Sequence, residues 1–366
     1  MTPREQTAAA LGVIARVSGQ RVDPPTLMPA EIILELSGEA VRSRLCTFTD
    51  ATGQEFCLRP DLTTPIARQV ASGDIPATRY HCAGPVYRLP PFGSNEAVEH
   101  VQVGFEWFGM AGSPDEDAEA LAVALEAAKA GGATKAIVRF GDVAIYHAVI
   151  DALPFSPQWR GRLRRAFSRR KGPRELLANI SNETTSPLAA RIAAMPLAEG
   201  VKAVEGMIAD LGVQTVGARG ADDIAERLRD RAGDITPDTR IAAALMKYMD
   251  INAPVGSCAA AVEAFARDAK LDIAPTLEAF RKRLDRIAAL KSPFWADATF
   301  SAEAGRRFEY YDGFVFELVR ESALDRPLVS GGRYDGLIKR LSGGKRTASA
   351  IGAALRVDRL EQRGAA

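Results

Sequence analysis

The stretch from Arg79 to Gly109, RYHCAGPVYRLPPFGSNEAVEHVQVGFEWFG, constrains this chain more than any other. From Val98 to Phe108 the residues alternate. Val101, Val103, Phe105 and Trp107 point to one face of a strand, and His100, Gln102, Gly104 and Glu106 point to the other. Gln102 and Glu106 therefore stand side by side, over a glycine that leaves room between them. Such a floor suits a polar, cationic ligand. The Pro-Pro and Gly-Ser-Asn content from Leu89 to Asn95 marks a loop between two strands. Arg88, at the end of the first strand, stands at the mouth of that loop and suits an anionic group.

Composition excludes more than it assigns. A chain of 366 residues with 47% hydrophobic and 25% charged content has enough apolar material for a sizeable core and two or more domains. A formal net charge of +1 gives no global argument for nucleic acid, a membrane surface or an acidic partner. Cys46, Cys57, Cys82 and Cys258 lack CxxC spacing, and His81, His100 and His147 are too dispersed for a ligand set. Zinc, any other cofactor and a disulfide framework are all unexpected. The N-terminus carries acid and lacks an apolar signal core, and no run of about 18 apolar residues occurs. A cytoplasmic protein without a membrane partner is expected.

Along the chain, Thr2 as cap, Pro3 in the first turn and Gly19 at the exit frame a first helix. Leu45–Phe48 and Glu55–Leu58 form a hairpin around Asp50 to Gly53, which delivers Arg59, Pro60 and Asp61 to a strand end. A helix follows, with Thr64 as cap, Pro65 at its first position and Gly73 at its exit. Ser113, Pro114 and Glu116 make a capping box for a helix running to Lys129, and Lys135–Phe140 reads as a strand. From about Asp142 the texture becomes helical, with short strands expected near Gln214 to Val216. Strand patterning returns after Ala298. Tyr310 to Glu317 reads as an alternating single strand or hairpin, and the Gly331–Gly332 pair, with no Lys-Ser/Thr after it, reads as a tight turn and not a phosphate loop.

PVYR, a loop and HVQVGFEWFG together resemble the second signature motif of class II aminoacyl-tRNA synthetases, with the spacing of the histidyl branch. Arg306 to Glu317, RRFEYYDGFVFE, is similar to that branch's histidine-recognition segment. Ser330 to Leu341, SGGRYDGLIKRL, is similar to the segment leading into its third motif. PPTLMPAEIILELSGEAV resembles the region of the first motif, with Pro29 as its proline and the dimer interface as its family role. The resemblance spans nearly the whole chain. It implies an α+β, class II synthetase-like antiparallel sheet flanked by helices, in two parts (1–141 and 293–366) separated by a mainly helical insertion (142–292). It also implies a histidine pocket built from Asp61, Arg88, Gln102, Glu106, Arg306, Tyr310 and Tyr311. Asp61 would meet the amino group, and Arg306 holds the position of an arginine that assists amino-acid activation. Glu106 beside Arg88 is equally consistent with a structural ion pair.

Three departures separate the chain from that family's catalysts. Pro90 replaces an acid that accepts the adenine amino group. Glu96 and Val98 stand where arginines are expected to grip ATP phosphates, and Arg356 replaces a small residue under the adenine, although Arg359 remains. The third motif is followed almost at once by Ala366, so no anticodon-binding domain and no tRNA partner are expected. These features resemble the synthetase paralogues that regulate ATP phosphoribosyltransferase. That likeness implies a non-catalytic subunit in the first step of histidine biosynthesis. Its partner would be the short catalytic form, the assembly a homodimer within a hetero-oligomer, and the effector histidine, bound in the ancestral pocket or at a subunit interface. One alternative is a truncated synthetase paralogue that activates an amino acid or modifies a protein. Another is RNA binding through Arg160 to Lys171, a basic run without acid, for which a solvated helix face or partner surface is the simpler account.

Overall fold

The computed structural model describes residues 1–37, 39–94, 96–167, 172–178, 187–211, 220–232, 237–305 and 310–360. Its first six strands are β1 (Gln20–Arg21), β2 (Leu27–Pro29), β3 (Thr47–Thr49), β4 (Glu55–Leu58), β5 (Arg79–Tyr87) and β6 (Glu99–Phe108). The remainder are β7 (Ala136–Asp142), β8 (Asn252–Pro254), β9 (Thr299–Ser301), β10 (Phe314–Arg320), β11 (Val329–Arg333) and β12 (Ala350–Arg356). Nine of them form one sheet in the order β1-β5-β6-β12-β11-β10-β7-β9-β8, and β2-β4-β3 form a second, small sheet. The large sheet is antiparallel throughout except where β1 meets β5 and β7 meets β9, which makes it mixed toward its edges.

The Arg79–Gly109 stretch lies at the heart of this sheet, as its alternation requires. β5 and β6 pair with Tyr80 opposite Glu106, Cys82 opposite Gly104 and Gly84 opposite Gln102. On the apolar side Val103, Phe105 and Trp107 are fully buried, and the Trp107 indole donates to Ser18 Oγ at 2.8 Å. Arg79 stacks 4.1 Å from the centre of the Trp107 ring and forks onto Glu119 at 2.6 and 2.7 Å. The helices flanking the sheet begin where their caps dictate. Pro3–Ala15 opens on a Thr2/Glu5 capping box, and Pro114–Ala130 on a Ser113/Glu116 box. The hairpin of β3 and β4 places Thr47 opposite Cys57, with Asp50 Oδ1 accepting from the backbone of Thr52 and Gln54.

Three local expectations are corrected. Helix Thr63–Ser72 starts before Thr64, and the amide of Thr64 donates to Asp61 Oδ1 at 2.7 Å, so the capping carboxylate is Asp61. Tyr310 and Tyr311 precede β10, because the chain turns there and Asp312 Oδ1 and Oδ2 accept from the amides of Asp335 and Gly336 at 3.0 and 2.6 Å. Gly331 and Gly332 are interior residues of β11. A Cβ on Gly331 would lie 2.5 Å from the Phe316 ring, and one on Gly332 would lie 2.7 Å from the Phe314 carbonyl. Crowding between neighbouring strands, not a turn, selects glycine at both. Pro29 ends β2, and the short helix Ala30–Ser37 follows directly.

The chain separates into two compact units, one of Met1–Ala148 with Tyr248–Ala366 and one of Val149–Lys247. The second unit is narrower than residues 142–292, because β8 and the helices Val255–Asp268 and Ala274–Ala289 belong with the large sheet's unit. Within the second unit, Ile192, Val204 and Ala225 form a small core. Helix Pro157–Phe167 buries Trp159, Leu163 and Phe167. Its basic face is partly used internally, with Arg162 lying 4.1 Å over the Trp159 ring and Arg164 holding Asp151 at 2.6 Å. Residues 168–171 of the basic run and the strands expected near Gln214 to Val216 lie outside the described residues. No described helix is long and apolar enough to cross a membrane.

One buried ionic network ties the first unit together. Asp117, fully buried on helix Pro114–Ala130, accepts from Arg283 Nε at 2.6 Å and from Arg333 Nε at 2.8 Å. Arg283 also donates to Asp142 at the end of β7, and Arg333 to Asp335 at 3.1 Å. Removing one member of such a network leaves buried charge uncompensated, which costs about 3–5 kcal/mol. Asp117→Ala should therefore lower the unfolding free energy by that order in denaturant titration. Lys282→Ala, which removes an exposed pair with Glu278 on a neighbouring turn, should leave the midpoint nearly unchanged.

Candidate functional site

A cavity of about 540 Å³ opens over the polar face of β6 and β12. It is lined by five of the seven residues singled out from the sequence: Asp61, Arg88, Gln102, Tyr310 and Tyr311. Asp61 arrives from the turn after β4 and is held by its cap on Thr64. Arg88 leaves the end of β5 and is steadied by donating from Nε to the Pro60 carbonyl at 2.7 Å. Gln102 is 4% exposed, and its Oε1 accepts no hydrogen bond among the described residues. A buried amide oxygen of that kind favours a ligand that donates to it.

Glu106 does not line the cavity. It lies just under the floor, its two oxygens taken by the Thr63 hydroxyl at 2.5 Å and by the Tyr334 hydroxyl. Burial pushes its carboxyl up to about 8, against the pull of those two hydroxyls, with the charge of Asp61 adding to the rise. Room for Glu106 comes from the neighbouring strand. Gly352 is its cross-strand partner, and a Cβ there would fall 1.8 Å from Glu106 Oε2. Gly104, between Gln102 and Glu106, is small for a related reason, since its missing Cβ would meet the Ala353 carbonyl at 2.5 Å. Arg306 lies outside the described residues.

The aromatic wall has three members, not two. Tyr310 and Tyr311 meet edge to face at 5.0 Å between centroids, and Tyr334 joins them at 5.5 and 6.4 Å. Burial pushes all three phenols up, so each stays protonated and keeps a hydroxyl that both donates and accepts. Thr63 and Tyr334 were not singled out from the sequence. Their signals were weak: Thr63 reads as the residue before the expected cap, and Tyr334 as one apolar member of the amphipathic turn that follows β11.

The outer half of the cavity is charged. Arg44, Arg326, Arg356 and Arg359 line it together with Glu96, Asp325 and His100. Arg356 is spent on Asp358, with Nε and Nη2 each at 3.0 Å, and Asp358 also faces His100 Nδ1 at 3.5 Å. The carboxyl of Asp358 lies well below the usual range because His100 and Arg356 outweigh the burial that would raise it. Burial, with Arg356 as a neighbour, lowers Arg359 to about 10. The cavity thus joins an inner region of amide, phenols and a carboxylate to an outer region of guanidinium groups already engaged from within.

The histidyl-tRNA synthetase family model matches residues 2–252 and 226–360. The chain is 32% identical over 350 residues to the ATP phosphoribosyltransferase regulatory subunit of Mesorhizobium japonicum, covering 93% of this chain and 92% of that protein. It is 32% identical over 353 residues to the protein of the same description from Agrobacterium fabrum, again covering 93% and 92%. Among solved structures, a protein described as ATP phosphoribosyltransferase regulatory subunit/histidyl-tRNA synthetase from Bacillus halodurans superposes with a TM-score of 0.66 at 21% identity, over 98% of this chain and 78% of its own. Histidyl-tRNA synthetase from Nostoc superposes with a TM-score of 0.62 at 13% identity, over 98% and 70%. The two structures establish a shared fold, the class II synthetase-like one.

Two measurements test how this floor is built. Gly352→Ala should destabilise the protein by roughly 1–3 kcal/mol through overpacking against Glu106. Glu106→Ala in the same background should recover part of that loss in a double-mutant cycle. The raised carboxyl also carries a pH signature. Between its ordinary value of 4.5 and about 8 the unfolded carboxyl ionises while the folded one keeps its proton, so stability falls as pH rises through that window. Unfolding profiles of Glu106→Gln should be flatter than wild type there.

Proposed function

This chain belongs to the family of ATP phosphoribosyltransferase regulatory subunits, a histidyl-tRNA synthetase-like group, and we propose that its cavity around Gln102 is where it senses histidine. It is a non-catalytic subunit of ATP phosphoribosyltransferase, in the first step of histidine biosynthesis. The reading as an amino-acid-activating paralogue is not favoured. In the cytoplasm its partner is the short catalytic form, which it activates as a homodimer within a hetero-oligomer. Histidine bound in the cavity then favours one state of that assembly over the other, and the coupling between the two sites is reciprocal.

The observation that carries the sensor reading is the buried, unmatched Oε1 of Gln102 beside Asp61 and the three tyrosines. A free histidine offers donors on its ammonium and its ring, and a carboxylate for a guanidinium such as Arg88. Asp61 supplies a carboxylate for the ammonium, and the phenols supply flat walls with hydroxyls for the imidazole. No bond in such a ligand needs to break, so tight, oriented binding is the whole of the chemistry.

The test is the activity of the short catalytic partner, with and without this chain, across a histidine titration. The wild-type chain should activate the partner, and histidine should then suppress that activity. Gln102→Leu should still activate, but its histidine response should weaken by about tenfold, the scale of one lost hydrogen bond. No activation and no co-elution with the partner would overturn the partner assignment. An unchanged histidine response in Gln102→Leu would move the effector to another site, such as a subunit interface.

A further inference from the structure

Five arginines, Arg44, Arg88, Arg326, Arg356 and Arg359, line one cavity against three carboxylates, Asp61, Glu96 and Asp325. Guanidinium groups converging in this way are what phosphate-bearing ligands require. Much of this wall is nevertheless engaged by the chain itself. Arg44 Nε donates to the Leu89 carbonyl at 2.5 Å, and Arg356 holds Asp358, two residues along the same chain segment. Each of these bonds holds a single guanidinium, Arg44 on the loop after β5 and Arg356 within its own segment. Glu96 is different. Its Oε1 lies 3.0 Å from Arg326 Nη2 and 3.3 Å from Arg359 Nη2, bridging two guanidinium groups that come from a segment 263 residues away from it in the case of Arg359.

The bridge has the form of a bound anion. One carboxylate oxygen sits between two cationic forks, as a phosphate oxygen would. The Arg359 side chain is only 13% exposed; its Nη1 donates to the Pro327 carbonyl at 3.2 Å and its Nε has no acceptor among the described residues, so one of its donors is still open. A tethered carboxylate competes with any free anion at an effective concentration on the order of millimolar. A phosphate placed beside an undisplaced Glu96 would meet like charge at close range.

We propose that Glu96 is a resident anion, occupying the Arg326–Arg359 pair so that the cavity admits a small amino acid and excludes phosphate-bearing ligands. It is a specificity-determining residue that acts by filling a site, and it marks where a di- or polyphosphate group binds once the carboxylate is removed. The proposal rests on the reading of this cavity as a small-ligand site, which the test below checks separately.

Inorganic pyrophosphate is titrated calorimetrically into the wild-type chain, Glu96→Ala, Glu96→Gln and Glu96→Ala/Arg359→Ala, each confirmed folded by thermal melting, with histidine titrated in parallel. The wild type should not saturate below roughly millimolar pyrophosphate. Both single variants should bind it at least about tenfold more tightly, the scale of one charge-assisted contact. The double variant should lose that gain, and histidine affinity should change by less than about twofold in Glu96→Gln. Equal pyrophosphate affinity in wild type and both single variants would overturn the proposal, as would a gain that survives loss of Arg359. Failure of histidine to bind the wild type would sink the sensor reading alone, whatever pyrophosphate does.

Discussion

Asp117 holds the first unit together by standing between two arginines from distant parts of the chain. Its two oxygens fix Arg283, from a helix behind the sheet, and Arg333, from the last residue of β11. The consequences reach the cavity through backbone bonds. Arg333 is shared with Asp335, whose Oδ1 also accepts from the Ala350 amide at 2.7 Å, while Tyr334 donates its own amide to the Ala350 carbonyl at 2.8 Å. The Arg333 carbonyl in turn accepts from the Asp312 amide at 3.1 Å, next to Tyr310 and Tyr311. An ionic contact with no access to any ligand therefore sets the positions of three tyrosines that face one. A charge network of this kind contributes geometry more than net stability, because desolvation offsets much of its attraction.

The cavity divides into regions of different character. Its inner part is lined by an amide, phenols and one carboxylate, with a second carboxyl below held mainly neutral by burial. Its outer part carries opposed charges that satisfy one another. A catalyst of nucleotide chemistry would need the outer part open, with its cations aimed at developing charge. A regulator needs only a ligand that prefers one state of the assembly, for which the inner part suffices. The loss of catalysis thus has a structural description beyond missing residues, since the cations have been given permanent internal partners.

Much of this was legible in the sequence where the period is short and the signal local. The alternation of Val101 to Trp107 predicts β6, and the Thr2/Glu5 and Ser113/Glu116 spacings predict two helix starts, because each rests on contacts a few residues apart. The shared family pattern brought Asp61, Arg88, Gln102, Tyr310 and Tyr311 into one list, and one cavity holds them. What stayed hidden was set across strands. The depth of Glu106 depends on Gly352 being opposite it, and the choice of glycine at 331 and 332 depends on Phe316 and Phe314. Pairing register between strands leaves no trace in local spacing, whether the partners lie on adjacent strands of one hairpin or far apart in the chain. For the same reason Glu96 read as a missing cation, and its role as a partner for Arg359 needed coordinates.

The Arg283 contacts have a further consequence for chain entropy. They join residues 141 and 166 positions apart, closing a loop that contains all of Val149–Lys247. The entropy of closing a flexible loop grows only with the logarithm of its length, so doubling it costs about 0.6 kcal/mol more. Once the ends are clamped by buried ion pairs, the Val149–Lys247 part of that loop can lengthen or shorten at little entropic cost to the sheet's unit. Drift during descent is therefore cheapest in that segment, whereas the residues at the clamp itself have almost no room to move.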